Sequence, residues 1–499
     1  MPTRHPDSPI RALIVDLNNF SRYPTMAVGY LAAALRQAGM AVEVLSPLAH
    51  GVPGIAREPE ETPLMDLGRR ANYLLAQAPG EPLRKLRRRV EHLRGRRERR
   101  RLDDISRLFL ARGTDRCDIV LVSAYLMYDG VCEAIGRACR EAGIPMIVGG
   151  SYFADAEVAG SWLSIPGLTA LIGGEVELEI AEIVEAAVDG ADLSGFAGVW
   201  LPGGRGRHRP PLEDLDRVAF PDYSDFPWHR YPHRIVPMLS GRGYGWGACT
   251  FCSDVTSSAG RTFRSRSPDN VLDELGVQSH RHDARAFVFT DLKLNSDPGM
   301  WRALVDGIPA RVPHAQWIAA VHVGAAGDHG LDAPTLAAAR RAGAVRLTTG
   351  LESGSQRILD RWAKGTDLDV TSRFLHDAAA AGISVRVTMI HGAPGETAED
   401  VLASARYLEV HGRLIDRVNI NRFQLMLGTT FMRRHDERPE RYPSVIVRDR
   451  QPRLAQAEHE LTDAYDPAYV RATQRLLGAV HAINRRPLTG EAGPFEGVM

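Results

Sequence analysis

The sequence predicts an α/β protein: a parallel sheet with helices on both faces, then a partial six-stranded β/α barrel, then a small helical C-terminal region. Three observations carry that expectation. Short runs rich in β-branched residues alternate with helix-length segments, the pattern of parallel strands joined by helical crossovers. The alternation occurs twice, over residues 9–195 and again over 235–430, with a Pro/Gly/Arg-rich stretch between. Polar residues and glycines follow the strand runs, at the end of such sheets where ligands sit.

In the first series the runs Arg11–Asp16, Val42–Leu45, Asp118–Ser123, Pro145–Gly149 and Thr169–Gly173 read as buried strands, and Val28–Gly39 carries helical periodicity. The pairs Gly149-Gly150 and Gly173-Gly174 let a backbone approach a ligand closely, a plain tight turn being the other reading. A basic helical insertion, about residues 52–115, interrupts the series. In it Leu83, Leu86, Val90, Leu93, Leu102, Ile105 and Phe109 trace an apolar stripe, with arginines opposite. That pattern reads as a long solvated helix held by its leucine seam, because no aromatic platform supports a nucleic-acid surface.

Residues 196–234 read as a linker broken by Gly203–Gly206, Pro210-Pro211 and Phe220-Pro221. The second series offers six strands, Ile235–Leu239, Ala286–Thr290, Trp317–Val321, Val345–Thr349, Val385–Ile390 and Val418–Phe423. Six such units predict a parallel barrel, open or closed, whose site lies at the carboxyl ends of its strands. Residues 431–499 are expected to form a helical extension, with a helix over Pro467–Ile483 and a Gly/Pro tail that frays.

Bulk composition excludes several classes. The chain has 499 residues, enough for two to three domains, and its 61 basic residues balance 61 acidic ones. No global field therefore points to nucleic acid, which is disfavoured as a partner. No apolar run approaches the ~20 residues of a membrane span, and the N-terminus lacks the apolar core of a secretory signal. Five cysteines are too few for a disulfide framework and suit a reducing cytoplasm. A cytoplasmic protein with no membrane partner is expected.

Chemistry gathers at the barrel's strand ends. In the run Ser240–Asp254, Cys249-Thr-Phe-Cys252 can hold two corners of an iron–sulfur cluster or part of a zinc site, though further zinc ligands are not evident. Cys117, Cys132 and Cys139 read as small buried residues. Asp291 follows the second strand and His322 the third; Glu352 closes the fourth and His391 the fifth. Tyr244, His322 and His391 are the candidate catalytic residues, the histidines as general bases. Glu396 reads as a cap of the following helix, with Thr397 and Glu399 in its first turn.

Together, Arg242-Gly243 before Cys249-Thr-Phe-Cys252, the run Gly350-Leu-Glu-Ser-Gly-Ser-Gln356 and Gly392-Ala-Pro-Gly-Glu396 resemble the radical S-adenosylmethionine (SAM) superfamily. Upstream, Ala27–Leu35, Gly149-Gly150 and Gly173-Gly174-Glu175 resemble the cobalamin-binding domain that one subgroup carries. The resemblance covers about residues 10–430. It implies a Rossmann-like cobalamin-binding domain over 9–195, followed by a radical-SAM-type barrel. It implies a [4Fe–4S] cluster held by three cysteines, of which Cys249 and Cys252 match the second and third, with Tyr244 at the first. SAM would lie near Asp291, Glu352 and Ser353, with Ile390, Gly392 and the Pro394-Gly395 turn beside its adenine. Cobalamin would be surrounded by Tyr125, Leu126 and Met127, by Gly149, Gly150 and Ser151, and by Gly173, Gly174 and Glu175. No Asp-x-His-x-x-Gly signature occurs, so the resemblance implies cobalt without a lower histidine ligand from that motif. His322 or His391 could serve as an axial ligand.

The activity so implied is methyl transfer to a small-molecule substrate in natural-product biosynthesis, with SAM and cobalamin as cofactors and an external electron donor where the cluster forms. Tyr244 is the departure: a phenol, with a pKa of about 10 in water, is a poor substitute for a thiolate. Two other readings stay open. One keeps the fold and performs non-radical cobalamin and SAM chemistry without a cluster. The other is a non-catalytic cobalamin-binding sensor or accessory subunit, against which the intact Gly350–Gln356 and Gly392–Glu396 motifs speak.

Overall fold

The computed structural model describes residues 8–55, 60–77, 80–204, 206–253, 263–325, 329–488 and 490–498. Asp254, the last residue of the quoted cysteine run, lies outside them. Strands β1 (Arg11–Asp16), β2 (Ala41–Leu45), β3 (Ile119–Ser123), β4 (Met146–Gly149), β5 (Leu168–Ile172) and β6 (Val199–Trp200) form the first sheet, in the order β2-β1-β3-β4-β5-β6. The first five are parallel and β6 runs antiparallel to β5. Helices cover both faces, which is why Leu13, Ile14 and Val15 are all fully buried and the strand reads as a continuous apolar run. Strand β6 comes from the stretch expected to be linker, so the N-terminal unit runs past residue 195.

The insertion departs from its expected form. It is three helices, Pro63–Ala76, Glu81–Arg94 and Arg96–Arg112, with the chain turning at Gly95. Ile105 and Phe109 of the last helix are fully buried in the N-terminal core, whereas Leu83, Leu86 and Leu93 of the second are 38%, 46% and 51% exposed. One leucine seam therefore splits into a packed segment and a largely exposed one, on either side of the break at Gly95.

After β7 (Ile235–Met238) comes a short antiparallel pair, β8 (Gly241–Arg242) with β9 (Arg264–Ser265). The barrel continues through β10 (Ala286–Phe289), β11 (Gln316–Val321), β12 (Ala344–Glu352), β13 (Ser384–His391) and β14 (Arg417–Arg422). Its order, β14-β13-β12-β11-β10-β7, follows the chain, and every pairing is parallel. Strands β7 and β14 are its two edges, so among the described residues the barrel is open. One hydrophobic core joins both units: Ile14 and Ile172 belong to the same cluster as Phe289 and Val387. Tyr223 from the connecting stretch donates to the Pro237 carbonyl at 3.0 Å.

The C-terminal region also differs from expectation. Besides the helix Pro467–Asn484, it holds a three-stranded antiparallel sheet of β15 (Leu425–Met426), β16 (Val445–Gln451) and β17 (Gln456–Leu461). Charges at Arg448, Asp449 and Arg450 hide the strand pattern, since this hairpin is solvated along much of its length. Its turn passes through Ala455 at φ 50°. The tail does not fray either. Phe495 and Val498 are buried against Ile235, Val288, Ile318 and Val345, and Arg346 donates to the carbonyls of Phe495 and Ala492 at 3.1 and 3.2 Å. Among the described residues, no helix is long and apolar enough to cross a membrane.

Candidate active site

The cysteine loop is tied down by Asp291. Its buried carboxylate accepts from the Ser240 N–H at 3.0 Å, the Ser240 hydroxyl at 2.7 Å and the Gly241 N–H at 2.8 Å. Asp291 thus fixes where the loop leaves β7. Farther along, Trp246 donates its indole N–H to the Ala363 carbonyl at 2.8 Å, and the Thr250 N–H bonds the Trp362 carbonyl at 3.0 Å. Cys249 is buried and Cys252 half-buried. Cys117, Cys132 and Cys139 lie in the N-terminal core, away from this loop.

Tyr244 points its ring edge-on at His322, with centroids 5.6 Å apart, and Trp246 stacks on His322 at 6.1 Å. Among the described residues, neither the Tyr244 hydroxyl nor the His322 Nε2 has a hydrogen-bond partner, though both atoms are buried. Burial, then the Cys249 and Cys252 thiols nearby, raise the Tyr244 pKa, so the phenolate form is disfavoured. Burial, reinforced by Lys364 and Lys293, lowers the His322 pKa to about 3, which leaves a neutral imidazole. Two thiols thus lie in one loop beside a protonated phenol.

At the end of β12, Glu352 sits at φ 58°, a left-handed conformation that is strained for a non-glycine residue. A bulge in the β12–β13 pairing falls here. The conformation aims the Glu352 carboxylate at Lys364 Nζ, 3.0 Å away, and at the Thr388 hydroxyl at 3.4 Å. Gly350 makes room for this: a Cβ there would lie 2.3 Å from Glu352 Oε1 and 2.6 Å from Lys364 Nζ. Lys364 is held above its ordinary range: burial pulls it down, and Glu352 with the nearby thiols outweighs that. Lys293, two residues past Asp291, is lowered to about 8 by burial and then by Lys364. The sequence reading missed both lysines. Lys293 was discoverable at a strand end, whereas Lys364 arrives only through the fold.

The remaining barrel motif residues are more structural than exposed. Ser353 is fully buried and its hydroxyl lies 3.3 Å from the Ser404 hydroxyl, locking the loop to the helix Ala398–His411. His391 is sandwiched between Tyr73 and Tyr469 at 5.5 and 5.4 Å, with Gln77 and Thr473 at its Nε2 and Glu396 3.3 Å from its Nδ1. Glu396 does not cap the next helix. It accepts from the Gly392 N–H at 2.8 Å and the Tyr469 hydroxyl at 2.6 Å, and Thr397 with Asp400 forms the capping box instead. Ile390 is partly buried against the small core beside Phe423.

In the N-terminal unit, a cavity of about 260 Å³ lies at the carboxyl end of the sheet. Gly149, Gly150, Ser151, Gly174 and Glu175 line it, with apolar walls such as Leu31 and Ile172. Apolar walls and close backbone suit a large organic cofactor. Gly173 serves the shape of the site from outside the lining: a Cβ there would lie 2.2 Å from the Phe153 carbonyl. Tyr125, Leu126 and Met127 follow β3 and do not line the cavity; Tyr125 and Met127 are 37% and 57% exposed. His208 and Arg209, from the connecting stretch, complete the lining, with no local signal in the sequence to mark them.

Glu175 also joins the two units. It pairs with Arg264 at 2.8 Å and Arg242 at 3.5 Å, while Glu177 pairs with Arg242 at 2.7 Å. Although burial raises its pKa, the Arg264 and Arg242 guanidiniums and the Leu212 N–H hold Glu175 below the usual carboxylate range. Arg242 stands two residues before Tyr244, so the cavity and the cysteine loop share one ionic hinge.

Residues 246–408 match the family model of the radical SAM superfamily, and this stretch is a radical SAM domain. Over 251 residues the chain is 26% identical to an uncharacterized methyltransferase of Pyrococcus horikoshii, covering 48% of this chain and 53% of that one. The chain spans about half the length, or less, of the curated relatives it matches. The structure resembles the radical SAM methyltransferase TsrM of Kitasatospora setae with cobalamin and a [4Fe–4S] cluster bound, with TM-score 0.62, 16% identity, and coverage of 90% of this chain and 81% of that one. It also resembles the cobalamin-dependent SAM radical enzyme OxsB with aqua-cobalamin and SAM bound, with TM-score 0.64, 14% identity, and coverage of 92% and 65%. The α/β fold, parallel sheet followed by parallel barrel, is thus the one these cobalamin-dependent radical SAM enzymes have.

Proposed function

We propose that the protein is a cobalamin- and SAM-dependent enzyme, of methyltransferase type, acting on a small molecule of natural-product biosynthesis in the cytoplasm. The observation that carries this reading is the hinge at Arg242, which joins the glycine-lined N-terminal cavity to the cysteine loop of the radical SAM domain. The methyltransferase relative and the two cobalamin-bound structures support it.

Cobalamin, when bound, supplies a carrier for the methyl group, with SAM as its source. The cavity floor at Gly149, Gly150 and Gly174 would hold the cofactor by close backbone approach. Glu352, oriented by Lys364 and by its strained backbone, would receive the polar end of SAM, and the Gly392–Gly395 turn, held by Glu396, would support the adenine. His322 is neutral and desolvated, so it would serve as an acceptor or packing group and not as an acid. Cys249 and Cys252 would hold two corners of a cluster, reduced by an external electron donor where it assembles.

A second reading keeps SAM and cobalamin and omits the cluster; the buried phenol of Tyr244 at the third position, without a partner among the described residues, favours it. Both are tested by mixing the full chain with hydroxocobalamin and methyl-labelled SAM. Retention of about one corrin per chain after gel filtration is expected, with label moving to the corrin fraction under reducing conditions. A chain that elutes free of corrin would end both readings.

A further inference from the structure

The last residue of β13, His391, is held by two parts of the chain that do not belong to the barrel. Its ring lies between Tyr73 of the insertion, 5.5 Å away, and Tyr469 of the C-terminal helix, 5.4 Å away. Gln77, just past the insertion's first helix, brings its amide nitrogen to 3.2 Å from His391 Nε2 and donates to the Thr473 hydroxyl at 2.7 Å. An amide nitrogen only donates, so Nε2 is the acceptor here. Thr473 Oγ1 lies 3.1 Å from the same Nε2. The insertion reaches this place because its helix Pro63–Ala76 is fastened to the helix Pro467–Asn484. Arg70 donates to the Gln474 carbonyl at 3.0 Å, and the Glu61 N–H to the Asn484 carbonyl at 3.2 Å.

On its other side the imidazole leads to the turn assigned above to SAM. One oxygen of Glu396 lies 3.3 Å from His391 Nδ1, accepts from the Gly392 N–H at 2.8 Å and accepts from the Tyr469 hydroxyl at 2.6 Å. Burial, and then Glu396, raises the Tyr469 pKa, so that hydroxyl keeps its proton and donates. The His391 carbonyl accepts from the Phe423 N–H at 2.9 Å, and Gly392 follows at φ 80°, a conformation that glycine adopts without strain. Both sides of the His391–Gly392 peptide are therefore pinned. Gln77, Thr473, His391 and Glu396 are all buried. Apolar side chains of the same shape would fill this space without the desolvation cost of four polar groups. A satisfied polar network instead specifies one geometry, and a ligand site needs its contacting groups held to within about 0.5 Å.

We propose that Gln77 and Thr473 are positioning residues for the nucleoside half of SAM, acting through His391 and Glu396 on the turn Gly392–Gly395. The insertion is then part of the SAM site. The inference rests on the SAM assignment above, because it names what holds that turn. It is tested by equilibrium dialysis of the full-length chain with labelled SAM and with labelled methylthioadenosine. The second ligand lacks the amino-acid end, so its binding does not depend on whether a cluster assembles. Thr473→Val, which removes the hydroxyl at nearly constant volume, is expected to weaken both ligands about tenfold, and Gln77→Leu likewise. Thr473→Ser, which keeps the hydroxyl, is expected to restore most of that affinity. Arg475→Gln changes an exposed arginine of the same helix, paired with Glu409, and is expected to bind both ligands as wild type does. Unchanged dissociation constants in Thr473→Val and Gln77→Leu overturn the proposal and leave the SAM assignment standing. So does equal weakening in Arg475→Gln, or a Thr473→Ser variant as weak as Thr473→Val. A wild-type chain that binds neither ligand overturns the assignment and the proposal together.

Discussion

Tyr244 and His322 meet edge to face, ring centres 5.6 Å apart and planes at 81°, where the loop that carries Cys249 and Cys252 meets the end of β11. Each presents a buried polar atom with no partner among the described residues. A buried polar group left unsatisfied costs about 1–3 kcal/mol, so both atoms call for a partner.

The Tyr244→Cys variant puts a third thiol at that place. After anaerobic reconstitution it is expected to hold about four irons and as many sulfides per chain, with wild type well below that level. Iron and acid-labile sulfide assays with electron paramagnetic resonance check this. Equal iron in the two forms would show that position 244 is not where the third ligand belongs.

Gly350→Ala places a methyl group between Glu352 and Lys364, where Cβ distances of 2.3 and 2.6 Å leave no room. The Glu352–Lys364 pair must open, and SAM affinity is expected to drop about tenfold, or ~1.4 kcal/mol. Equilibrium dialysis with labelled SAM reads this directly, and an unchanged dissociation constant would remove Glu352 from the SAM site.

Asp16, at the end of β1, is fully buried, and burial raises its pKa to about 6 against hydrogen bonds from Thr25, Asn19 and Asn18. Its unfolded value is near 3.8. A raised folded value means the contribution to stability is complete below the unfolded pKa and is lost as pH climbs through about 6. The window's size is roughly two units, or about 3 kcal/mol at most. Asp16→Asn keeps the accepting oxygen used by Thr25 at 2.8 Å and removes the charge. Relative to wild type, it is expected to gain stability from about pH 4 to about pH 6 in urea unfolding and to hold that gain at higher pH. A difference flat in pH would mean Asp16 titrates normally.

Much of the fold was legible because its strands bury both faces. The runs at Arg11–Asp16 and Trp317–Val321 are apolar along their length, and little else a chain does looks like that. The β16–β17 hairpin was not legible, since its charges answer to solvent and its pairing is with itself. The leucine stripe of the insertion misled for a related reason: periodicity states that a helix has an apolar side, and only the neighbours state whether that side is covered. Glu396 looked like a cap because it precedes a helix, yet a hydroxyl 73 residues away, on Tyr469, claims it.

The sequence alone determined the main parallel strands in chain sequence, the motif-bearing loops at their ends, and the tyrosine among the cysteines, because each is written in residues adjacent along the chain. The tertiary structure alone decided that Lys364 reaches Glu352, that Glu175 ties the cavity to Arg242, and that Tyr469 reaches Glu396. Those contacts join residues far apart in sequence, and their geometry depends on how the two parallel sheets and the two additions pack, which no local pattern encodes.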